Sequence, residues 1–394
     1  MLALPQSEAC VNARTVGDAY ITSMGAFLPG PPITNDRLED ILGRIGGKPS
    51  RLGPKVLRSN GIKTRHYAMD DRQRTTHQNT GLAAEAARAC LAKSSIGKDK
   101  VDMLAVASTQ GDFALPGMAS MVQGDLSLPP CEILTTHGIC GAGIQALKGA
   151  ANQVKLGEKR NALVCASELS SRLLKASRYE ASGRGRDGEG LDFESEFLRF
   201  MLSDGAGAML VQDRPSERGL SLRIDWIEVM SFAGDYPVCM KCGAGPADGP
   251  HRSWQDYPTY GEAERDGSLL IRQDLKLLEN VVKVGVEGYL RLIQAGRIKS
   301  EDIDHFACHY SSHYFRGKTL ELMRLMGCTI PEERWFTNLS EKGNTGCAAL
   351  FIMLEELMYN GSLKPGQTVF CFVPESGRFL AAYMRLTVVA GESR

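Results

Sequence analysis

Two stretches, GICGAGIQALKGAANQVKLG (138–157) and GNTGCAALFIMLEELMYNG (343–361), decide the fold of this 394-residue chain. Each opens on a Gly-rich turn and continues as a helix that is apolar nearly all round. A helix without a polar stripe must be buried on every side, which in a chain of this size means a layer held between two others. Outward from the helices, the same order of elements recurs. Upstream stand VDMLAVASTQG (101–111) and IDHFACHYSSH (303–313), strand-like apolar runs offset by 303 − 101 = 202. Downstream, short basic turns lead to β-rich runs that end in glutamate, NALVCASE at Glu168 and QTVFCFVPE at Glu375, offset by 375 − 168 = 207. Cys140 and Asn344 open the two helices at matching places, offset by 344 − 140 = 204.

Offsets that agree within five residues imply two copies of one α/β unit. With both helices buried, the expected packing is five layers, α-β-α-β-α, carrying an internal pseudo-two-fold duplication. The halves are 1–215 and 216–394, with insertions at about 174–200 and 233–268 that shape a binding site. Between the insertions, MLSDGAGAMLVQD (201–213) turns at Asp204-Gly205 into an apolar strand. Apolar spacing predicts helices over 35–45, capped by Asn35, and over 268–296.

Composition narrows the function classes. Lys+Arg 46 against Asp+Glu 46 leaves no net charge, so the balance points neither to nucleic acid nor to an anionic membrane. The N-terminus lacks the basic start and apolar core of a secretory signal, and the apolar run Cys347 to Leu354 is too short to span a bilayer. The expectation is a cytoplasmic protein whose eleven cysteines, scattered singly, are reduced. Cys239 and Cys242 form a CxxC, but His251 is the only nearby third ligand, so loop thiols are expected and no metal.

Cys140 lies where a Gly-rich turn meets a helix N-terminus, where free N–H groups and the helix dipole favour a thiolate. Taken alone, such a cysteine is more often an inert buried thiol. The duplication changes that weighing, because converging helix N-termini set Asn344 opposite Cys140. His309 follows at the carboxyl end of the second-copy strand, where sites open in α/β folds. A nucleophile, a proton carrier or oxyanion donor and a second donor make a set for acyl transfer. His305 and His313 rank below His309.

These residues resemble the ketoacyl synthase III group of thiolase-fold condensing enzymes, from about Ala19 to about Thr387. GIKTRHYA (61–68), FALPGMASMVQGDLSL (113–128) and LSDGAGAMLV (202–211) are similar to segments of that family. The resemblance implies a thiolase fold, a homodimer, and Cys140, His309 and Asn344 as catalytic residues. It also implies Phe113 as an acyl-pocket residue reaching the neighbouring subunit, and backbone N–H groups of Cys140, Glu375 and Ser376 as the oxyanion site. Substrates would be acyl-CoA or acyl-carrier-protein thioesters, with no cofactor.

Two stretches depart from the family pattern: HYSSHYF (309–315) replaces His-Gln-Ala-Asn, and VPESGRF (373–379) replaces a Gly-rich loop. The latter brings Glu375 and Arg378 to the reacting centre, either as a structural ion pair or with Glu375, or its duplicate-copy partner Glu168, as an auxiliary acid/base group. HYSS and PESGRF are most similar to condensing enzymes of dialkylresorcinol and cyclohexanedione pathways. The implied reaction is Claisen condensation of a Cys-bound acyl group with a second β-ketoacyl thioester, followed by aldol ring closure. Competing readings are an initiating synthase of fatty-acid synthesis, an acyltransferase to an alcohol or amine, and a silent partner subunit.

Overall fold

The computed structural model describes residues 16–184, 191–245 and 252–391. In the first half the strands are β1 (Tyr20–Phe27), β2 (Met103–Ser108), β3 (Glu132–His137), β4 (Asn161–Glu168) and β5 (Gly205–Gln212), with helices α1 (Asn79–Ala92), α2 (Met118–Leu126) and α3 (Ala142–Lys155). The second half repeats the order with β6 (Leu220–Ser231), β7 (His305–Cys308), β8 (Trp335–Phe336), β9 (Thr368–Glu375) and β10 (Leu380–Ala390), and with α4 (Asn280–Gln294), α5 (His313–Leu325) and α6 (Ala349–Tyr359). The strands lie in the order β3-β2-β4-β5-β1 and then β6-β10-β9-β7-β8, the same sequence read inward from each outer edge. The two sheets join edge to edge where Tyr20 and Ile21 pair with Arg223 and Leu222 and the Ile224 N–H donates to the Ala19 carbonyl.

Alternation along the strands shows how the layers stack, because successive side chains of a strand point to opposite faces. Met103, Ala105 and Ala107 of β2 and Val369, Cys371 and Val373 of β9 share one core with α3 and α6. Leu104 and Val106 pack outward with α1 and α2, and Phe370 and Phe372 pack outward with α4 and α5. The order is therefore α1/α2, sheet, α3/α6, sheet, α4/α5, which is the five-layer packing expected from the two apolar helices.

The central layer is tight. A Cβ on Gly143 would stand 2.5 Å from the Cys347 carbonyl oxygen and 3.0 Å from the Phe351 ring, so α3 meets the start of α6 almost backbone to backbone. A Cβ on Gly207 of β5 would fall 2.4 Å from Phe351 Cβ. Phe351 is fully buried at this junction. Phe351→Ala is expected to cost about 3–5 kcal/mol, because neighbours this constrained cannot collapse into the void; urea unfolding would measure it.

The structure corrects several expectations. The helices match at Ala142 and Ala349, and 349 − 142 = 207, so the counterpart of Cys140 is Cys347 and Asn344 lies three residues earlier. Residues 268–296 are not one helix: Arg272–Gln273 pairs with Met240–Lys241 as a small two-stranded sheet, and helices occupy Leu275–Leu278 and α4. Over 35–45 the α-helical turn is only Leu38–Leu42. Asn35 does not cap it; its side chain donates to the Ile62 carbonyl and accepts from Arg65. Cys239 and Cys242 point their sulfurs at the carbonyls of Asp274 and Leu269, while His251 lies outside the described residues. Among the described residues no cluster of metal-ligating side chains forms, and no helix is long and apolar enough to cross a membrane.

Candidate active site

Between the end of β3 and the start of α3, residues 138–141 form the turn that carries Cys140. The first N–H groups of a helix have no intrahelical acceptor. Here the N–H groups of Ile139 and Gly141 both donate to Oε2 of Glu375, at 3.2 and 2.8 Å. No carbonyl takes the N–H of Cys140 or of Ser376 among the described residues. Gly141 is required by this contact, since a Cβ there would stand 2.9 Å from the same carboxylate oxygen.

That arrangement reverses the acidity expected for Cys140. Local sequence predicts a depressed thiol pKa at a helix N-terminus, yet burial pushes the Cys140 thiol up, and the nearby carboxylates of Glu375 and Glu168 push it further. The helix-terminal N–H groups that would have favoured a thiolate are spent on Glu375. Cys140 is half-buried by surface area because cavities reach it, while its sulfur lies deep in the protein.

Two cavities meet at Cys140. One is lined also by Glu168, Asn344, Met240 and Ile271; the other by His309, Tyr310, Val282 and Phe315. Cys140, Ser311 and Ser376 line both. Ser311 gives no sequence signal of a role, being one of two serines in HYSS.

His309 follows β7, and its backbone N–H continues the ladder by donating to the Phe372 carbonyl at 2.9 Å. Burial lowers the His309 pKa to about 4, so the imidazole is neutral at physiological pH. Asn344 is bound to the segment before β5: Ser203 N–H donates to its carbonyl at 2.8 Å, and its own N–H donates to Met201 O at 3.3 Å. Its side-chain Oδ1 accepts from Gly346 N–H at 3.0 Å. A backbone N–H needs an oxygen acceptor, which sets the amide so that Nδ2 is the group left to donate.

Glu168 closes the wall of the Asn344 cavity. Its Oε1 accepts from Thr109 Oγ1 at 2.6 Å, Thr109 N–H at 3.3 Å and Cys347 N–H at 3.1 Å. Burial nonetheless raises its pKa above the ordinary carboxyl value. Glu375, by contrast, faces the Cys140 turn and lines neither cavity. Arg378 makes no ion pair with it, donating instead to the Tyr236 carbonyl. His305 and His313 are turned to Gln367 and Ser340 and also line neither cavity.

Phe113 is 53 % exposed on the loop between β2 and α2, away from its own chain's two cavities. The loop is anchored through Asp112, which accepts from Thr80 Oγ1 and from Arg172. On the far side, the segment that follows β6 is seated on the turn after β9. Cys239 and Met240 donate N–H bonds to the Gly377 carbonyl, and Gln273 Nε2 donates to Ser376 Oγ at 2.8 Å. Gln273 was not legible as a site residue, because the apolar spacing around it reads as helix.

Residues 293–383, which include His309, Asn344 and Glu375 but not Cys140, match the family model of the 3-oxoacyl-[acyl-carrier-protein (ACP)] synthase III C terminal. The whole structure is similar to 3-oxoacyl-[acyl-carrier-protein] synthase III from Aquifex aeolicus VF5, at 20 % identity and a TM-score of 0.70. It is similar to a tetronic acid condensing enzyme at 20 % identity and a TM-score of 0.74. A variant of Xanthomonas campestris OleA with bound lauric acid and lauroyl-CoA gives 20 % identity and a TM-score of 0.70. Each comparison covers 94 % of this chain and 99 % of the other. The chain thus has the thiolase fold, with residues 293–383 built on the 3-oxoacyl-[acyl-carrier-protein] synthase III C-terminal pattern.

Proposed function

We propose that this protein is a ketosynthase of the ketoacyl synthase III type, joining two acyl thioesters at Cys140. The observation that carries the reading is the position of the thiol at the junction of two cavities, one holding Asn344 and the other His309. In the first step the Cys140 sulfur attacks a CoA or carrier-protein thioester; the new S–C bond forms, the old one breaks, and the thiol proton leaves with the released thiol. The N–H groups of Cys140 and Ser376 receive the oxyanion. In the second step a carbanion at C2 of the other thioester attacks the bound acyl carbonyl. The C–C bond forms, the bond to Cys140 breaks, and the Asn344 amide and neutral His309 hold the enolate oxygen.

For a β-ketoacyl second substrate, loss of the C2 proton suffices to make the carbanion. Glu168, on the cavity wall with a raised pKa, is the acid/base group for that proton and for aldol ring closure to a cyclohexanedione or resorcinol precursor. The reading includes a homodimer across the outer edge of β3, the end strand of its sheet, where Ile133, Phe113 and Leu115 are exposed. Phe113 of each copy would then reach the other's acyl cavity.

The test is to incubate the protein with pairs of acyl thioesters and analyse intact mass and products together. An acyl adduct on Cys140 and a C–C-joined product are expected, with cyclic product from two β-ketoacyl thioesters. Only linear product, equally abundant in Glu168→Gln, would remove the ring-closing step. The match over residues 293–383 favours a second reading, an initiating synthase. That reading requires acetyl-CoA with a malonyl carrier protein to outcompete longer acyl donors in the same assay.

A further inference from the structure

Glu168 and Glu375 are related by the internal duplication, since 375 − 168 equals the 207-residue offset of α3 and α6. Each ends a central strand, β4 or β9, and each carboxylate crosses to the helix N-terminus of the opposite half. Glu168 accepts the Cys347 N–H ahead of α6, and Glu375 accepts the Ile139 and Gly141 N–H groups ahead of α3. The two bonds to Glu375 flank the nucleophile on both sides and converge on a single oxygen.

We propose that Glu375 is a positioning residue that locks the Cys140 turn, its carboxylate bridging the two N–H groups on either side of the nucleophile. The proposal rests on the reading of Cys140 as acyl acceptor and replaces an acid/base role for Glu375. With residues 139 and 141 pinned, the Cys140 N–H, which no carbonyl takes among the described residues, is available to an acyl oxygen. The turn would otherwise be loose, with glycine at 138 and 141. Gly141 permits the approach, and Gly377 permits the return of the chain, where a Cβ would meet Ile139 at 2.8 Å and Glu375 Oε1 at 3.2 Å. The lock places a negative charge beside the thiol, so geometry is secured at the expense of thiolate population.

The experiment compares Glu375→Gln with Glu375→Ala by two readouts: the rate of acyl-adduct formation from an acyl-CoA, and the pH profile of Cys140 alkylation by iodoacetamide. A carboxamide oxygen still accepts both N–H groups, so the Gln variant is expected to lose less than about threefold in acylation. The Ala variant is expected to lose more than about tenfold, as displaced nucleophiles do. Both variants should shift the alkylation profile to lower pH, because the charge is gone. If the Ala variant does not fold, Glu375→Asp, one methylene short of the turn, serves in the rate comparison with the same expected loss. Equal loss in the Gln and Ala variants would overturn the proposal in favour of proton transfer, and a wild-type rate in the Ala variant or an unmoved alkylation profile would overturn it outright. Absence of any adduct on the wild-type protein would instead defeat the acyl-acceptor reading, leaving the alkylation profile to report on Glu375.

Discussion

Replacing Cys140 by alanine is expected to abolish the acyl adduct and to lower condensation by at least about 10³-fold, since covalent capture divides one difficult step into two easier ones. Among the described residues no other thiol is placed to substitute. Cys347, its counterpart by duplication, gives its N–H to Glu168 and turns its sulfur toward the carbonyls of Ala107 and Ser167, and it lines neither cavity. Cys242 is exposed but lies on the segment after β6, with its sulfur on the Leu269 carbonyl. The deletion removes a half-buried side chain at a cavity wall, so folding should survive and the loss should be chemical. Intact-mass analysis after incubation with an acyl-CoA reads the adduct directly. An adduct persisting on Cys140→Ala would mean that another group accepts the acyl chain.

The second large effect separates the two stages of the reaction. His309→Ala and Asn344→Ala are each expected to leave the acyl adduct in place while slowing C–C bond formation by about 10²–10³-fold, the usual loss of one preorganised oxyanion donor. The Asn344 amide is oriented by Gly346 N–H before any substrate arrives, so the donor requires no rearrangement. His309 must be neutral to donate without surrendering its proton, and burial holds its pKa near 4. The sign follows directly: the neutral form exists above that pKa, so the His309 contribution persists as pH falls from 7 to 5 and is lost only on approaching 4. A histidine at its ordinary pKa near 6.5 would be half-protonated already at about pH 6.5 and almost fully charged by about pH 5. The measurement is single-turnover condensation from the preformed acyl-enzyme across pH 4.5–8, with His309→Ala subtracted. An inflection near pH 6.5 present in the wild type and absent from the variant would show that the histidine cycles through its charged form.

Much of the architecture was legible in the residue order because the central elements are buried on both faces. Strands such as NALVCASE and TVFCFVPE carry no polar side and the helix from Gly343 is apolar nearly all round, so their runs announce an interior layer; the helix from Gly138 instead keeps Gln145, Lys148, Asn152 and Lys155 on one face, where Asn152 is exposed. The offset between halves is legible to within a few residues, yet the matching helix starts at Ala142 and Ala349 pair Cys140 with Cys347, whereas the Gly-rich turns alone pair it with Asn344. The extended Arg272–Gln273 was not legible, because its two residues owe their conformation to pairing with Lys241 and Met240 some thirty positions away.

The sequence by itself determined the duplication, the layers and the place of Cys140 at a helix N-terminus, for these depend on local turn chemistry and on unbroken apolar patterning. Only the tertiary structure decided what that terminus does. A thiol beside free N–H groups reads locally as acidic, but Glu375, 234 residues from Gly141 in the chain, takes those N–H groups and sets its own charge against the sulfur. Hydrogen-bond partners and nearby charges act through space, so a group's proton affinity is written in the packing of distant segments rather than in the residues on either side of it.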